Sequence, residues 1–301
     1  MKSLPKIGAT TNLKAVPRVS LNKTNDGSFF SYFTMATVAY SLRKLNDAYN
    51  GSCLEVRRSS DNTVLDIGFV SGLIDLQTLI DFVGTSSGFV SKWYDQTDNN
   101  FTVNQATLAQ QPRIVLNGVL ETFNNNPCIT FDISTVSLAS ASNIFNNSAL
   151  SIFFSTGSFS SSSESVLGER ESLSGWGVRP YHSTTQMITY NAARQVAFFT
   201  MPVADLNNYR NNGLVGSAFR NSSFNWVNGI QNWFNKDINY YSVESGTLGY
   251  VSTAAKFRIG SDIDVVNSSF FGKVFEVIIY NQFLPELRDE ATANLQRFYK
   301  L

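Results

Sequence analysis

Residues 91–105 read SKWYDQTDNNFTVNQ. An alternating, aromatic-rich run ends at Tyr94, gives way to a polar aspartate-asparagine cluster, and resumes its alternation at Phe101. Period-two alternation puts successive side chains on opposite faces of a pleated strand, so the stretch predicts two strands and a join. In the join, Tyr94 closes the first strand, and Asp95 and Gln96 can bond the backbone groups freed where the ladder stops. Asp98 and Asn99 tolerate the tight turn. The oxygens of Asp95, Asp98 and Asn99 could instead meet a calcium ion or sugar hydroxyls. The structural use is the favoured reading.

Working outward, the same texture fills the chain after Gly88. FVSKWY (89–94), RIVL (113–116), CITFD (128–132), LSIFFSTGSF (150–159), GWGVRPY (175–181), QMITY (186–190) and VAFFTM (196–201) are short, aromatic or β-branched, and bounded by turn residues. In SSFNWVNGIQNWFN (222–235), the pair Asn228-Gly229 between two alternating runs predicts a type I′ hairpin. Helical spacing predicts a helix over 36–51 from Val38, Leu42, Leu45 and Tyr49. A second is predicted over 75–84 from Leu76, Leu79, Ile80 and Val83, and a third in 284–301 from Leu287, Ala291, Leu295 and Phe298. Many strands with a few short helices predict a mainly β fold, a β-sandwich forming one domain over 36–301.

Composition narrows the function classes. Hydrophobic residues make up 43% and charged residues 15% of the 301, so the surface is polar but largely uncharged and the chain can bury a core. The 23 basic and 23 acidic residues cancel, which leaves no global field to attract nucleic acid or a membrane surface. Lys2, Lys6, Lys14, Arg18 and Lys23 all precede the first acid, Asp26. Residues 1–35 therefore read either as a solvated tail or as an extended arm that docks on an acidic neighbour. Cys53 and Cys128 are expected to be buried thiols. With no basic-then-apolar leader and no apolar run of about 18 residues, neither a cleaved signal nor membrane insertion is expected.

Several blocks carry a family resemblance. AYSLRKLNDAYNGSCLEVRRSSDNTVLDIGF, GFVSKWYDQTDNN, QPRI and NNPCITFD resemble, in order, the N-terminal part of the catalytic domain of fungal α-L-arabinofuranosidase B. The resemblance implies a concanavalin A-like jelly roll. The same pattern resembles segments of bacteriophage virion proteins described as lectin- or glucanase-like. FRIGSD with FFGKVFEVIIYNQFL looks like the closing strands of concanavalin A-like and laminin-G-like domains. A retaining enzyme of this kind needs two carboxyl groups about 5 Å apart. The family's Met-Glu-Ala-type segment is not found here, where QMITYNAA has no acid beside Met187, and the adjacent cysteine pair is missing. The resemblance thus implies a scaffold and no catalytic residue.

The expectation that follows is a non-enzymatic bacteriophage virion protein, a tail fibre, spike or capsid decoration with a lectin-like domain. It would be held to other virion proteins through the arm, located in the virion and assembled as a homo-oligomer, and it could bind cell-surface glycans. Trp176, Arg179, Tyr181 and His182, with Trp226 and Trp233, are the candidate glycan-binding residues. The lone His182 and the lack of thiol motifs argue against a transition metal, and no cofactor is expected. One alternative is an arabinofuranosidase-like glycoside hydrolase whose acids have moved, with Glu164, Glu169, Asp262 or Asp264 as candidates. Another is a structural subunit that binds no sugar.

Overall fold

The computed structural model describes residues 35–301 apart from 134, 146–148, 161–164, 172–173, 184–185, 192–195, 201–210, 221–225, 233–254 and 264–268. The described elements are mainly β, as the alternation predicts. In chain order the strands are β1 (Val38–Ser41), β2 (Leu54–Arg58), β3 (Val64–Ile67), β4 (Gly88–Trp93), β5 (Val103–Asn104), β6 (Arg113–Leu116), β7 (Ile129–Phe131), β8 (Leu138–Ala139) and β9 (Leu150–Phe159). They continue with β10 (Leu167–Glu171), β11 (Ser174–Ser183), β12 (Gln186–Asn191), β13 (Val196–Thr200), β14 (Leu214–Arg220), β15 (Trp226–Asn232), β16 (Lys256–Ile259) and β17 (Gly272–Tyr280). Helices α1 (Leu76–Val83) and α2 (Arg288–Tyr299) complete the frame. Neither is long and apolar enough to cross a membrane.

Two antiparallel layers result. One runs β15-β14-β9-β17, with β1 and β7 side by side along the far edge of β17. The other runs β3-β2-β4-β5-β8-β16-β10-β11-β12-β13. The ladder passes between them through β7, β6 and β4. Val38, Tyr40, Ile152, Phe154, Val277 and Ile279 of the first layer meet Val56, Val90, Trp93, Trp176, Phe257 and Ile259 of the second in one core. Tyr40 ties the layers together, lying 5.9 Å from the Trp93 ring and 6.1 Å from that of Phe257.

The outer face of the first layer is covered. Ile278 and Tyr280 point away from the core, and α2 packs Ala291, Leu295 and Tyr299 onto that side, its Leu287, Ala291 and Leu295 stripe falling as the helical spacing predicts. Beneath α2 lies a buried ion pair. The Arg43 guanidinium donates to both Glu276 carboxylate oxygens at 2.7 and 2.8 Å, and to Asn294 Oδ1 at 2.6 Å. Ser41 Oγ and the Tyr299 hydroxyl donate to Glu276 as well, at 2.7 and 2.9 Å.

Two local expectations fail. Residues 38–41 form a strand and not a helix, because Val38, Tyr40 and Leu42 also satisfy period two and the β17 edge offers a ladder. Non-local pairing overrides the helical spacing. Asn228-Gly229 does not turn a hairpin: β15 runs through it, and the register with β14 shifts between Ser217 and Phe219. The pair is absorbed in a bulge, where glycine's freedom serves equally well. The α1 helix forms as expected, with Asp75 capping Thr78 N and Gly84 ending it at φ 60°. Cys53 and Cys128 are buried free thiols.

Candidate functional site

The polar join of 94–100 is occupied by backbone. Asp95 Oδ1 accepts the amides of Ala39 and Thr97 at 2.9 and 3.0 Å. Its Oδ2 accepts the Thr97 hydroxyl at 2.7 Å and the Phe101 amide at 3.0 Å. Burial pushes this carboxyl's pKa up, while the four donors pull the other way. Gln96 takes the Leu45 amide at 2.8 Å and donates to the carbonyls of Ser41 and Arg43 at 3.1 and 2.9 Å. Asn99 donates to Thr37 O at 3.0 Å, Tyr94 donates to Asp66 Oδ1 at 2.7 Å, and Asp98 is exposed. Both Asp95 oxygens are thus committed to holding β1 and the chain after it. Asp95→Ala strands the buried amide of Ala39 and the half-buried amides of Thr97 and Phe101, and is expected to cost about 2–3 kcal/mol of stability, measured by urea unfolding. Asp95→Asn, which keeps one acceptor oxygen, should recover part of this.

A second set of residues gathers at β10, β11 and β16. Glu169 and Trp176 stand opposite each other in register and face the core. Glu169 accepts the amides of Ile144 and Phe145 at 2.6 and 3.1 Å, and Trp176 packs 5.8 Å from Phe145. Gly168, Arg170 and Arg258 face the other way. At Gly260 the backbone turns to φ 91°, a conformation that L side chains rarely adopt, and a Cβ there would strike the Phe131 ring. This turn carries Asp262 over Gly168, where an added Cβ would lie 2.6 Å from Asp262 Cβ and 2.5 Å from Trp176 O. Two glycines distant in sequence therefore make the space that Asp262 fills. Gly168→Ala is expected to destabilise the fold by about 1–3 kcal/mol, read as a lower denaturant midpoint.

Asp262 is fully buried. Its Oδ2 receives Arg170 Nη1 at 3.1 Å, and Oδ1 has no hydrogen-bond partner in another described residue. Burial raises its pKa, and the positive charges of Arg170 and Arg179 offset part of the rise. A carboxyl whose pKa is raised in this way has one property of a proton donor.

The other anticipated site residues fall in different places. Trp176 is in the core, so it offers no ring to a sugar. Arg179 is an odd number of residues away, on the opposite face, and so does not share a surface with Trp176. Tyr181 and His182 lie in β11 and Trp226 in β15, with side chains outside the described part. Trp233, Glu164, Asp264 and the arm residues Lys2, Lys6, Lys14, Arg18 and Lys23 lie outside the described residues altogether. Glu169 faces away from Asp262 and cannot oppose it across a sugar.

A family model described as "Alpha-L-arabinofuranosidase B, catalytic" matches residues 31–134. An arabinofuranosidase complexed with arabinofuranosyl-α-1,2-xylobiose superposes with a TM-score of 0.67 at 12% identity, covering 90% of this chain and 64% of that one. A mutant GH54 α-L-arabinofuranosidase soaked with 4-nitrophenyl α-L-arabinofuranoside gives a TM-score of 0.65 at 13% identity, over 88% and 63% of the two chains. The chain carries a glycoside-hydrolase-like β-sandwich. It spans less than two thirds of the length of those structures. No curated protein matches it. These likenesses overturn the expectation of a non-enzymatic virion protein: the similarity is to arabinofuranosidases and supports the hydrolase alternative, while nothing in it speaks for a phage particle. The absence of a Met-Glu-Ala-type segment does not argue against that alternative, because one absent motif tests one residue's position and leaves the rest of the scaffold untested.

Proposed function

We propose that this β-sandwich is a glycoside hydrolase that cleaves arabinofuranoside linkages, with Asp262 as the general acid. The observation that carries the reading is the buried, Arg170-paired Asp262 with its raised pKa, set on the outer side of the second layer of an arabinofuranosidase-like fold. Asp262 has no exposed surface in this structure, so the step requires that substrate binding uncover it; protonated Asp262 would then deliver its proton to the glycosidic oxygen as the bond to the anomeric carbon breaks, leaving a neutral alcohol and an oxocarbenium-like centre. Arg170 would hold the carboxyl in place and stabilise the anion left behind.

The chemistry also needs a second carboxyl, about 5–9.5 Å away. Glu55 shares the outer face but lies four strands from β16, about 19 Å at ordinary strand spacing. Asp264 and Glu164 are the sequence candidates that remain for that role. Incubation with 4-nitrophenyl α-L-arabinofuranoside tests the reading. Release of nitrophenol that Asp264→Ala or Glu164→Ala abolishes supports it. Absence of turnover at any pH between 3 and 8 contradicts it.

A further inference from the structure

The sequence contains four Asn-Gly pairs, at 50–51, 117–118, 212–213 and 228–229. Such a pair is open to self-attack, because glycine has no side chain to shield its backbone nitrogen from the preceding side-chain amide. The fold treats the pairs differently. In the bend that leads into β2, Asn50 and Gly51 are both exposed. The Gly51 amide donates to no described residue, and Asn50 holds only Ala48 O, through Nδ2 at 3.1 Å. The flanks are fixed: the Tyr49 amide donates to Asn46 O at 3.0 Å, and the Tyr49 hydroxyl to Ser52 O at 2.8 Å. That second bond straps the chain on either side of the pair and leaves the pair itself in solvent. A Cβ on Gly51 would strike the Tyr49 phenol, so the strap itself calls for glycine after Asn50.

The next two pairs are held. The Gly118 amide donates to Ser86 O at 2.8 Å, and Asn117 Oδ1 accepts the Ser87 hydroxyl at 3.3 Å. Gly213 is buried at φ 92°, where a Cβ would lie 2.9 Å from Thr156 O and 2.6 Å from Leu301 Cδ2. Asn228-Gly229 lies within β15.

We propose that Asn50 is a site of spontaneous deamidation, at which the folded chain converts into aspartyl and isoaspartyl forms. The Gly51 nitrogen attacks Asn50 Cγ. A carbon–nitrogen bond forms, the attacking nitrogen gives up its proton, and the side-chain nitrogen leaves as ammonia. The cyclic imide then takes up water at either of its carbonyls. Opening at Cγ restores the ordinary backbone with an aspartate at 50. Opening at the backbone carbonyl routes the chain through Cβ and Cγ and gives isoaspartate. One water is consumed and one ammonia released. Both products carry a new negative charge, and the isoaspartyl form also lengthens the chain inside the Tyr49–Ser52 strap. Nothing in this chemistry depends on the hydrolase reading.

Incubation of the full chain at mildly alkaline pH, folded and in guanidinium chloride, tests this, with each Asn-Gly peptide followed by mass spectrometry after digestion. In denaturant the local sequence sets the rate, so each pair serves as its own reference. In the folded chain Asn50 should react within about threefold of its rate in denaturant, because no buried contact has to open first. Its product should divide between aspartate and isoaspartate. Asn117 and Asn212 should slow by about tenfold or more, since their glycine amides must first leave a hydrogen bond or a buried position. Protection of Asn50 equal to that of Asn117 would overturn the proposal, as would conversion at Asn117 or Asn212 ahead of Asn50. Aspartate at 50 without any isoaspartate would overturn the ring-forming step.

Discussion

Arg43→Met is expected to lower the unfolding free energy by about 3–5 kcal/mol, the largest stability loss from any single change considered. Glu276 is fully buried, and Arg43 supplies two of its charge-assisted bonds and its neutralising charge. Ser41 and Tyr299 remain as donors in the variant, yet neither carries charge, so the carboxylate is left buried without a neutralising partner. The guanidinium also sits 4.3 Å from the centre of the Phe298 ring, a contact that methionine replaces only in part. The double change Arg43→Met with Glu276→Leu should recover most of the loss, because it removes the stranded charge along with its partner. Equal destabilisation in the single and double variants would mean that packing, and not the ion pair, holds α2 to the sheet. Chemical denaturation with a two-state fit reads both.

Asp262→Asn is expected to reduce hydrolysis of an alkyl arabinofuranoside by about 10²–10⁴-fold. The loss should be far smaller for a dinitrophenyl glycoside, whose leaving group departs without a proton. A positioning residue would slow both substrates alike, so the contrast separates the two roles. Stability moves in the other direction. The folded pKa of Asp262 is raised, so the native state binds the proton more tightly than the unfolded chain does. Stability is therefore greatest below the ordinary carboxylate range and declines as pH rises from there through the raised value. The asparagine variant should lack this decline and so gain on the parent as the pH rises from about 3 towards 7.

Much of the fold was legible because it is local. The apolar runs of β9 and of 277–280 in β17 and the Leu287, Ala291, Leu295 stripe at α2 each report their own environment, and they fold as written. Residues 38–42 were not legible, since Val38, Tyr40 and Leu42 fit two periods and only the distant edge at 276–279 decides between them. Asn228-Gly229 misled for a related reason: a glycine signals backbone freedom without saying whether a turn or a bulge will use it. The candidate site was the least visible. Asp262 could be named as an acid, but its burial depends on Gly168, about ninety residues earlier, and on the turn at Gly260. Trp176 and Arg179 needed only a parity count to be separated onto two faces.

The pH–rate profile of aryl arabinofuranoside hydrolysis probes the role of Asp262 most directly. A donor carboxyl with a raised pKa predicts an alkaline limb centred above the ordinary carboxylate range, present in the parent and lost in Asp262→Asn. A limb that persists unchanged in the variant would contradict Asp262 as the acid, and a parent protein that releases no nitrophenol would contradict the hydrolase itself.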